Sequence, residues 1–327
     1  VGAPGSGKTT ALRNSGLKFP LADRMGEQAV RGVGGTRNCD WWFTDQAVLI
    51  DTAGRFTTQD SDQATDSASW GSFIHMLKRA RSRQPLNGVL VTVSVSDLLT
   101  RTPTERQRYA ATVRQRVQEL HERLSIRFPI YLLVTKCDLL AGFMDNFGPL
   151  DKDQRAAPWG FTFPITADGK ARGPALETFQ AEFDALLQRL SDGLIDRLQA
   201  ESDPQRRARI YAFPGQFAGL RSMLQEFTEA VFSPSSFEAE PMLRGVYFVS
   251  GTQEGTPIDR MLGSIARHYQ LERAILPPQQ SSGKSYFLSR LLGEVVFAEH
   301  GLAGTNRKWE RSRNAMRVRS RVRSLVC

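Results

Sequence analysis

The sequence of 327 residues has little cysteine, little histidine and no long apolar run. Its three cysteines, Cys39, Cys137 and Cys327, are far apart and form no C-x-x-C pair, which argues against a disulfide framework or a structural zinc site. The four histidines are scattered, so we expect no histidine-bound metal. No stretch approaches the roughly 18 consecutive apolar residues of a membrane-spanning helix. We therefore expect a globular region in a reducing, cytosolic setting, with any membrane span outside these residues.

The composition is that of an ordinary folded protein, with 40% hydrophobic and 24% charged residues. At roughly 150 residues per domain, the length suffices for about two domains, or one large domain with appendages. The formal net charge is +9, and residues 307–323 hold eight basic residues against one acidic residue, Glu310. The rest of the chain is therefore close to neutral, and we expect the basic excess to belong to the C-terminal segment and not to the folded body.

The strongest motif lies at the start of the chain, where residues 2–9 fit the phosphate-loop pattern G-x-x-x-x-G-K-[ST]. Glycines let backbone N–H groups turn around an anion, Lys8 would reach the outer phosphates, and Thr9 would ligate Mg²⁺. Because this motif normally follows a buried strand, we expect the chain to be cut just before it. The predicted nucleotide contacts here are Gly2, Gly5, Ser6, Gly7, Lys8, Thr9 and Thr10.

A second motif is an apolar strand that ends in Asp51 and is followed by Thr52-Ala53-Gly54. Such a strand end places a carboxylate beside Mg²⁺, and the Gly54 N–H can sense a γ-phosphate. GTPases of the Ras type carry a water-orienting glutamine at the next position, where this chain has Arg55. Arg55 either stabilises transition-state charge or is an ordinary exposed loop residue, and we expect slow or differently organised hydrolysis. The predicted catalytic residues are Lys8, Asp51, Gly54 and Arg55.

A third motif, T-K-x-D, comes at the end of a predicted strand and makes Thr135, Lys136 and Asp138 candidate base contacts. In GTPases the aspartate of this element accepts hydrogen bonds from guanine, and the lysine stem packs on the base. Ser250, after the last predicted strand, could approach the same base. Thr36 is either a ligand of Mg²⁺ and the γ-phosphate or an ordinary loop residue. The predicted metal ligands are Thr9, Thr36 and Asp51.

Strand-like and helix-like apolar patterns alternate along the chain, which predicts an α/β fold. We expect a GTPase-like P-loop NTPase with a mostly parallel sheet, flanking helices and a helical extension. A capping box at Thr102 and Glu105, with proline at the first helical position, predicts a long helix to about Arg127. The predicted helices are 8–15, 70–83, 102–127, 174–200, 217–232, 256–271 and 284–297. The predicted strands are 41–44, 47–51, 88–95, 129–135, 209–213 and 245–249.

These patterns predict three parts of the chain. Residues 1–252 form a P-loop NTPase-like domain with a truncated first strand and a helical insertion at about 165–205. Residues 253–306 form a helical extension, and residues 307–327 form a basic juxtamembrane segment.

Several blocks of the sequence resemble the TssM/IcmF family, the inner-membrane component of bacterial type VI secretion systems. The W-W-F and S-G-T-Q-E-G-T-P blocks are far more specific than any phosphate motif, and the resemblance covers nearly the whole chain. The blocks are G-A-P-G-S-G-K-T-T at 2–10, G-G-T-R-N-C-D-W-W-F at 34–43, V-L-I-D-T-A-G-R at 48–55, L-V-T-K-C-D at 133–138, V-S-G-T-Q-E-G-T-P-I-D at 249–259 and G-L-A-G-T-N-R at 301–307.

The resemblance implies a region on the cytoplasmic side of the bacterial inner membrane, with spans upstream and just beyond Cys327. It also implies an oligomer in the assembled complex, with other type VI secretion membrane-complex and baseplate proteins as partners. Basic residues next to a span mark its cytoplasmic side, which fits the basic segment at 307–323. Nucleic acid is not expected as a partner, because Trp309 is the only aromatic residue of this segment.

Two classes of function remain open from the sequence. The first is an NTPase that binds Mg²⁺ with ATP or GTP, and whose slow or partner-stimulated hydrolysis is linked to assembly or conformational change of the secretion apparatus. The second is a scaffold that docks baseplate components and does not need its nucleotide site. The T-K-x-D motif predicts guanine, whereas the family resemblance implies ATP, and we favour ATP.

Overall fold

The structure is a computed structural model that describes residues 1–20, 39–57, 63–165, 175–235, 238, 240–251 and 284–306. No helix within these residues is long and apolar enough to cross a membrane. The strands are β1 (Cys39–Phe43), β2 (Val48–Thr52), β3 (Val89–Ser94), β4 (Pro129–Thr135), β5 (Gly160–Thr162) and β6 (Met242–Phe248). The α-helices are α1 (Lys8–Arg13), α2 (Gln63–Ala80), α3 (Val95–Thr100), α4 (Pro103–Leu124), α5 (Phe143–Phe147), α6 (Lys152–Ala156), α7 (Ala175–Asp192), α8 (Leu194–Ala200), α9 (Pro204–Ala218) and α10 (Arg221–Phe232).

The main sheet has four strands in the order β3, β4, β6, β5. Strands β3, β4 and β6 are parallel, with Val91 opposite Leu132 and Leu132 opposite Val246, whereas the short β5 runs antiparallel to β6. Every residue of β4 and β6 is buried, as expected for parallel strands covered on both faces. The prediction of an α/β fold with a mostly parallel sheet and flanking helices is confirmed.

Strands β1 and β2 form a separate antiparallel hairpin in which Phe43 lies opposite Val48 and Asp40 lies opposite Asp51. The turn is closed by the N–H and hydroxyl of Thr44, which both donate to the Ala47 carbonyl at 3.0 and 2.8 Å. A tight turn fixes the register of a hairpin, so this turn decides which side chains meet across it.

The long helix α4 begins and ends close to its predicted bounds. Thr102 accepts a hydrogen bond from the Glu105 N–H at 3.3 Å, and the Glu105 carboxylate accepts the Thr102 N–H at 2.7 Å. The helix ends at Leu124 because Ser125 adopts the left-handed conformation, with φ 55°. The predicted capping box is therefore confirmed.

A layer of phenylalanines packs the helices against the sheet. The Phe183 ring of α7 stacks on the Phe217 ring of α9 at 5.0 Å between centroids, and Phe217 meets Phe248 of β6 at 4.8 Å. All three side chains are buried. The helix predicted at 174–200 is two helices, α7 and α8, which are separated at Gly193.

The prediction of a strand at 209–213 is wrong, because these residues lie inside helix α9. Asp203 caps this helix by accepting the Gln205 N–H at 2.8 Å. Buried Ile210, Phe213 and Phe217 recur every three or four residues, which is the period of a helix and not of a strand. The five residues 209–213 are too few to show this longer period.

The helix predicted at 284–297 begins later than expected. Tyr286 instead pairs with Ser250 through two backbone hydrogen bonds of 2.8 and 3.2 Å. A π-helical segment, Leu291–Phe297, and a 3₁₀ turn, Ala298–Leu302, follow. The predicted helix at 256–271 and the segment 307–327 lie outside the described residues.

Replacing Thr102 by Ala should lower the free energy of unfolding by about 1 kcal/mol, because it removes the side-chain acceptor at the start of α4. Chemical denaturation of both proteins would measure the difference. Thr104→Ala is the matched control, since Thr104 is an exposed residue inside the first turn. Equal losses in the two variants would contradict a specific role of the cap.

Candidate functional site

The phosphate-loop motif lies beside the carboxyl ends of β3 and β4. Val1 pairs with β3 as a parallel strand would, since its nitrogen donates to the Leu90 carbonyl at 2.7 Å and its carbonyl accepts the Thr92 N–H at 2.8 Å. The Ser6 hydroxyl contacts the Thr92 hydroxyl at 2.9 Å, and the Thr135 hydroxyl donates to the Ser6 carbonyl at 2.6 Å. The loop is thus held by two neighbouring strands of the sheet.

The glycines of the motif are required by the backbone. Gly5 and Gly7 have φ values of 70° and 80°, in the left-handed region that side chains rarely adopt. A Cβ atom on Gly2 would lie 2.1 Å from the Thr92 hydroxyl oxygen. The predicted loop residues therefore form a tight turn that leads directly into α1.

Lys8 folds back over this turn. Its Nζ donates to the carbonyls of Gly2 and Ala3 at 2.7 and 2.8 Å. Burial lowers the pKa of Lys8 to about 8, although the charges of Asp51 and Asp97 act in the opposite direction. The ammonium group is thus held at the mouth of the loop, in an environment that would gain from a negatively charged ligand.

Two of the predicted metal ligands are in direct contact, because the Thr9 hydroxyl donates to the Asp51 carboxylate. Asp51 is 2% exposed and lies opposite Asp40, which is 5% exposed. Burial and the charge of Asp51 raise the pKa of Asp40. The part of the chain that the structure describes holds no group of three or more His, Cys, Asp or Glu side chains suited to a metal. The donors are hard oxygens, which fits Mg²⁺ shared with phosphate oxygens.

Gly54 packs directly on the phosphate loop. A Cβ atom on Gly54 would lie 2.4 Å from the backbone nitrogen of Pro4. The next residue, Arg55, forms an ion pair with Asp66 of α2 at 3.1 Å, and its guanidinium lies 5.5 Å from the centroid of the Phe56 ring. The structure thus brings Gly54 to the loop and holds the Arg55 side chain against α2.

The T-K-x-D motif forms the other wall of the site. The Ser250 hydroxyl donates to the Asp138 carboxylate at 2.6 Å, and both side chains are fully buried. Lys136 adopts the left-handed conformation, with φ 58°, where the chain turns away from β4. Asp138 and Ser250 therefore meet, although they are far apart in the sequence.

The segment after β6 also reaches α1. The Asn14 side-chain amide donates to the Gly251 carbonyl at 3.0 Å, and a Cβ atom on Gly251 would contact Thr10 at 3.1 Å. Of the residues predicted for the site, the candidate metal ligand Thr36 lies outside the described residues. The others border one region at the carboxyl edge of the sheet.

A cavity of about 1040 Å³ opens between the β1–β2 hairpin and β3. Its lining includes Lys8 and Asp51 at one end and mostly apolar side chains elsewhere, among them Leu49, Leu90 and Leu292. The charged groups of the site thus border an apolar wall.

Residues 63–323 match the IcmF-related N-terminal domain. The chain belongs to the IcmF-related family. It is 54% identical over 318 residues to the type VI secretion system component TssM1 of Pseudomonas aeruginosa, and the match covers 97% of this chain and 29% of that protein. The chain therefore spans less than a third of the length of this curated relative. No solved structure matches it.

Membership of the IcmF-related family and the similarity to TssM1 confirm the TssM/IcmF resemblance inferred from the sequence blocks. The family match begins at residue 63, so it does not include the phosphate loop or the strand that ends in Asp51. The match to TssM1 covers almost the whole chain.

Sequence reasoning missed three residues next to the site: Asp40, Asp97 and Tyr109. The Tyr109 hydroxyl accepts the Ala3 N–H at 3.0 Å and donates to the Thr92 carbonyl at 2.9 Å. Pairing the hairpin outward from its turn would have revealed Asp40, because it places Asp40 opposite Asp51. No local signal distinguishes Asp97 or Tyr109.

Gly54→Ala should reduce the free energy of unfolding by about 1–3 kcal/mol, because the added methyl group overlaps the backbone of Pro4. Thermal and urea unfolding would measure the loss. Gly301→Ala is the matched control, since a Cβ atom on Gly301 meets nothing within 4 Å. A Gly54→Ala protein as stable as the control would contradict the close packing of the two loops.

Proposed function

We propose that this chain is a cytoplasmic nucleotide-binding domain of a type VI secretion membrane-complex protein, built on a P-loop NTPase fold. The observation that carries the proposal is the convergence of three motifs at one sheet edge. The phosphate loop, the contact between Thr9 and Asp51, and the contact between Asp138 and Ser250 all border the carboxyl ends of β3, β4 and β6. Parallel α/β sheets bind ligands at this edge.

The residues have complementary roles toward a bound nucleotide. Lys8 and the loop N–H groups would hold the phosphates, while Thr9 and Asp51 would hold Mg²⁺, with Asp51 acting through the Thr9 hydroxyl or a water. Bound Mg²⁺ would neutralise charge on the phosphate oxygens. Gly54 lies against the loop and would report the presence of a γ-phosphate.

The base is proposed to lie beside Thr135, Lys136, Asp138 and Ser250. Guanine selection requires the aspartate of a T-K-x-D motif to face the base. Here the Asp138 carboxylate is 1% exposed and already accepts the Ser250 hydroxyl. We therefore favour ATP, in agreement with the resemblance to the TssM/IcmF family.

Hydrolysis is proposed to be slow until a partner acts. The position that holds a water-orienting glutamine in GTPases of the Ras type is Arg55, and Arg55 is engaged by Asp66 at 3.1 Å. A partner that separates this ion pair would free the guanidinium to stabilise phosphate charge. Such a step would link turnover to assembly or conformational change of the secretion apparatus, whose membrane-complex and baseplate proteins are the proposed partners.

A scaffold that docks baseplate components is the second candidate. The observation in its favour is that Lys8 is satisfied by two carbonyls of its own loop. A phosphate loop whose carbonyls bind its own lysine does not need a ligand to be ordered. If the protein is a scaffold, the phosphate loop would have only a structural role in the fold.

The test is a fluorescence titration of labelled ATP and GTP analogues, with Mg²⁺, into the protein and its Lys8→Ala variant. We expect one nucleotide to bind, and the variant to weaken binding by on the order of 10–100-fold, because a buried charge-assisted contact to phosphate is lost. Lys152→Ala is the matched control, because Lys152 is exposed at the start of α6. No binding at millimolar concentration would refute the proposal and favour the scaffold.

The same titration should depend on pH. Only protonated Lys8 attracts phosphate, and its pKa in the free protein is lowered to about 8. Affinity should therefore be full below that value and decline as the pH rises through it, by at most about tenfold per pH unit. A Lys8→Arg variant that retains binding should show no such decline, because arginine stays charged. A loss of affinity that begins only near the ordinary lysine pKa of 10.5 would contradict the burial of Lys8.

A further inference from the structure

Five basic side chains belong to the segments that lead into the amino ends of β3 and β4, at the sheet edge opposite the phosphate loop. We call this surface the basic edge; it consists of Lys78, Arg79, Arg81, Arg83 and Arg127. Lys78 is partly exposed and the four arginines are exposed. Residues 78–88 contain no acidic residue, and residues 121–128 contain one, Glu122. The body of the protein is close to neutral overall, but its charge is unevenly distributed.

Lys78 and Arg81 donate hydrogen bonds to neutral oxygen atoms of the basic edge. Lys78 Nζ donates to the Arg123 carbonyl at 2.6 Å, which joins the end of α2 to the end of α4. The Arg81 guanidinium donates to the Asn87 side-chain oxygen at 3.0 Å. These hydrogen bonds orient the cations without cancelling their charge. Both helices end here, where the helix dipole also favours positive charge.

The C-terminal part of the described chain is fixed in the middle of this surface. The Asn306 N–H donates to the Arg83 carbonyl at 2.8 Å, and the Gly304 N–H donates to the Arg127 carbonyl at 2.7 Å. The Gln84 side chain donates to the Ala303 carbonyl at 2.9 Å. Asn306 is 4% exposed. In the sequence, Asn306 is followed by residues 307–323, which include eight basic residues and one acidic residue.

The basic edge and the proposed nucleotide site lie at opposite ends of the strands, although Arg81 also lines the cavity that Lys8 and Asp51 border. Strands β3 and β4 are parallel, and the phosphate loop contacts Thr92 and Thr135 toward their carboxyl ends. The basic edge surrounds their first residues, Val89 and Pro129. Strands of this length put the two edges roughly 20 Å apart. A partner at the basic edge would leave the nucleotide site accessible.

We propose that the basic edge binds an anionic lipid surface, so that the phosphate loop faces away from the membrane. A bilayer of anionic lipids attracts arginine and lysine without fixed geometry, and each basic residue near it adds to the affinity. Single-stranded nucleic acid would be held by stacking side chains as well as by charge. The one aromatic ring of residues 78–88 and 122–128, Phe128, is fully buried. This proposal does not depend on nucleotide binding.

The test is sedimentation of the 327-residue protein with vesicles of phosphatidylcholine, with and without phosphatidylglycerol. The variant Arg81→Gln/Arg83→Gln/Arg127→Gln removes three charges from the basic edge and keeps the backbone carbonyls that hold residues 304–306. We expect its affinity for the anionic vesicles to fall by on the order of 10–100-fold. The control Arg108→Gln/Lys152→Gln/Arg207→Gln removes three exposed charges outside the basic edge and should bind as the unmodified protein does.

Two results would overturn the proposal. One is unchanged vesicle affinity of the basic-edge variant, with loss of binding only when Arg317, Arg319 and Arg321 are replaced by Gln, which would assign the lipid contact to the C-terminal segment alone. The other is loss of duplex DNA binding in the basic-edge variant with unchanged vesicle binding. Equal unfolding temperatures of variant and control would establish that both proteins are folded.

Discussion

The structure depends on the fully buried strand β4, which lies between β3 and β6. Because both of its faces are covered, its apolar side chains pack against layers on either side of the sheet. At its carboxyl end, Thr135 holds the phosphate loop through the Ser6 carbonyl, and Asp138 shortly after it holds Ser250. At its amino end, the Arg127 carbonyl holds Gly304. One strand thus positions both the proposed nucleotide site and the proposed membrane surface.

Charge at the phosphate loop is balanced among a few buried groups. Burial destabilises the charged form of Lys8, and the contacts with Asp51 and two backbone carbonyls stabilise it in part. Asp51 in turn lies opposite Asp40, a second buried carboxylate. An excess of buried negative charge beside a lysine with a lowered pKa is an arrangement that a phosphate and a divalent cation would complete together. We interpret the contact between Thr9 and Asp51 as part of this arrangement of charges.

The two edges of the sheet would divide the work of the protein. The proposed ligand chemistry lies at the carboxyl edge, where the motifs meet, and the proposed lipid contact lies at the amino edge, where the helices α2 and α4 end. With this division the protein would present its proposed nucleotide site on one side while its other side contacts lipid. The ion pair of Arg55 and Asp66 lies at the start of α2, next to Gly54 and the phosphate loop.

Local sequence determined the features that depend on neighbours along the chain. The tight turns at Gly5 and Gly7, the cap at Thr102 and the apolar strand β4 follow from backbone sterics and periodicity, and each was predictable. Only the tertiary structure decided the rest. The helix at Pro204–Ala218 is recognised by the spacing of the residues that it buries in the core. Asp40 lies opposite Asp51 only because β1 and β2 pair as a hairpin. The basic edge consists of two short stretches that are far apart in sequence, and they meet because parallel strands have their amino ends at the same edge of the sheet. The net charge of the chain does not reveal this cluster.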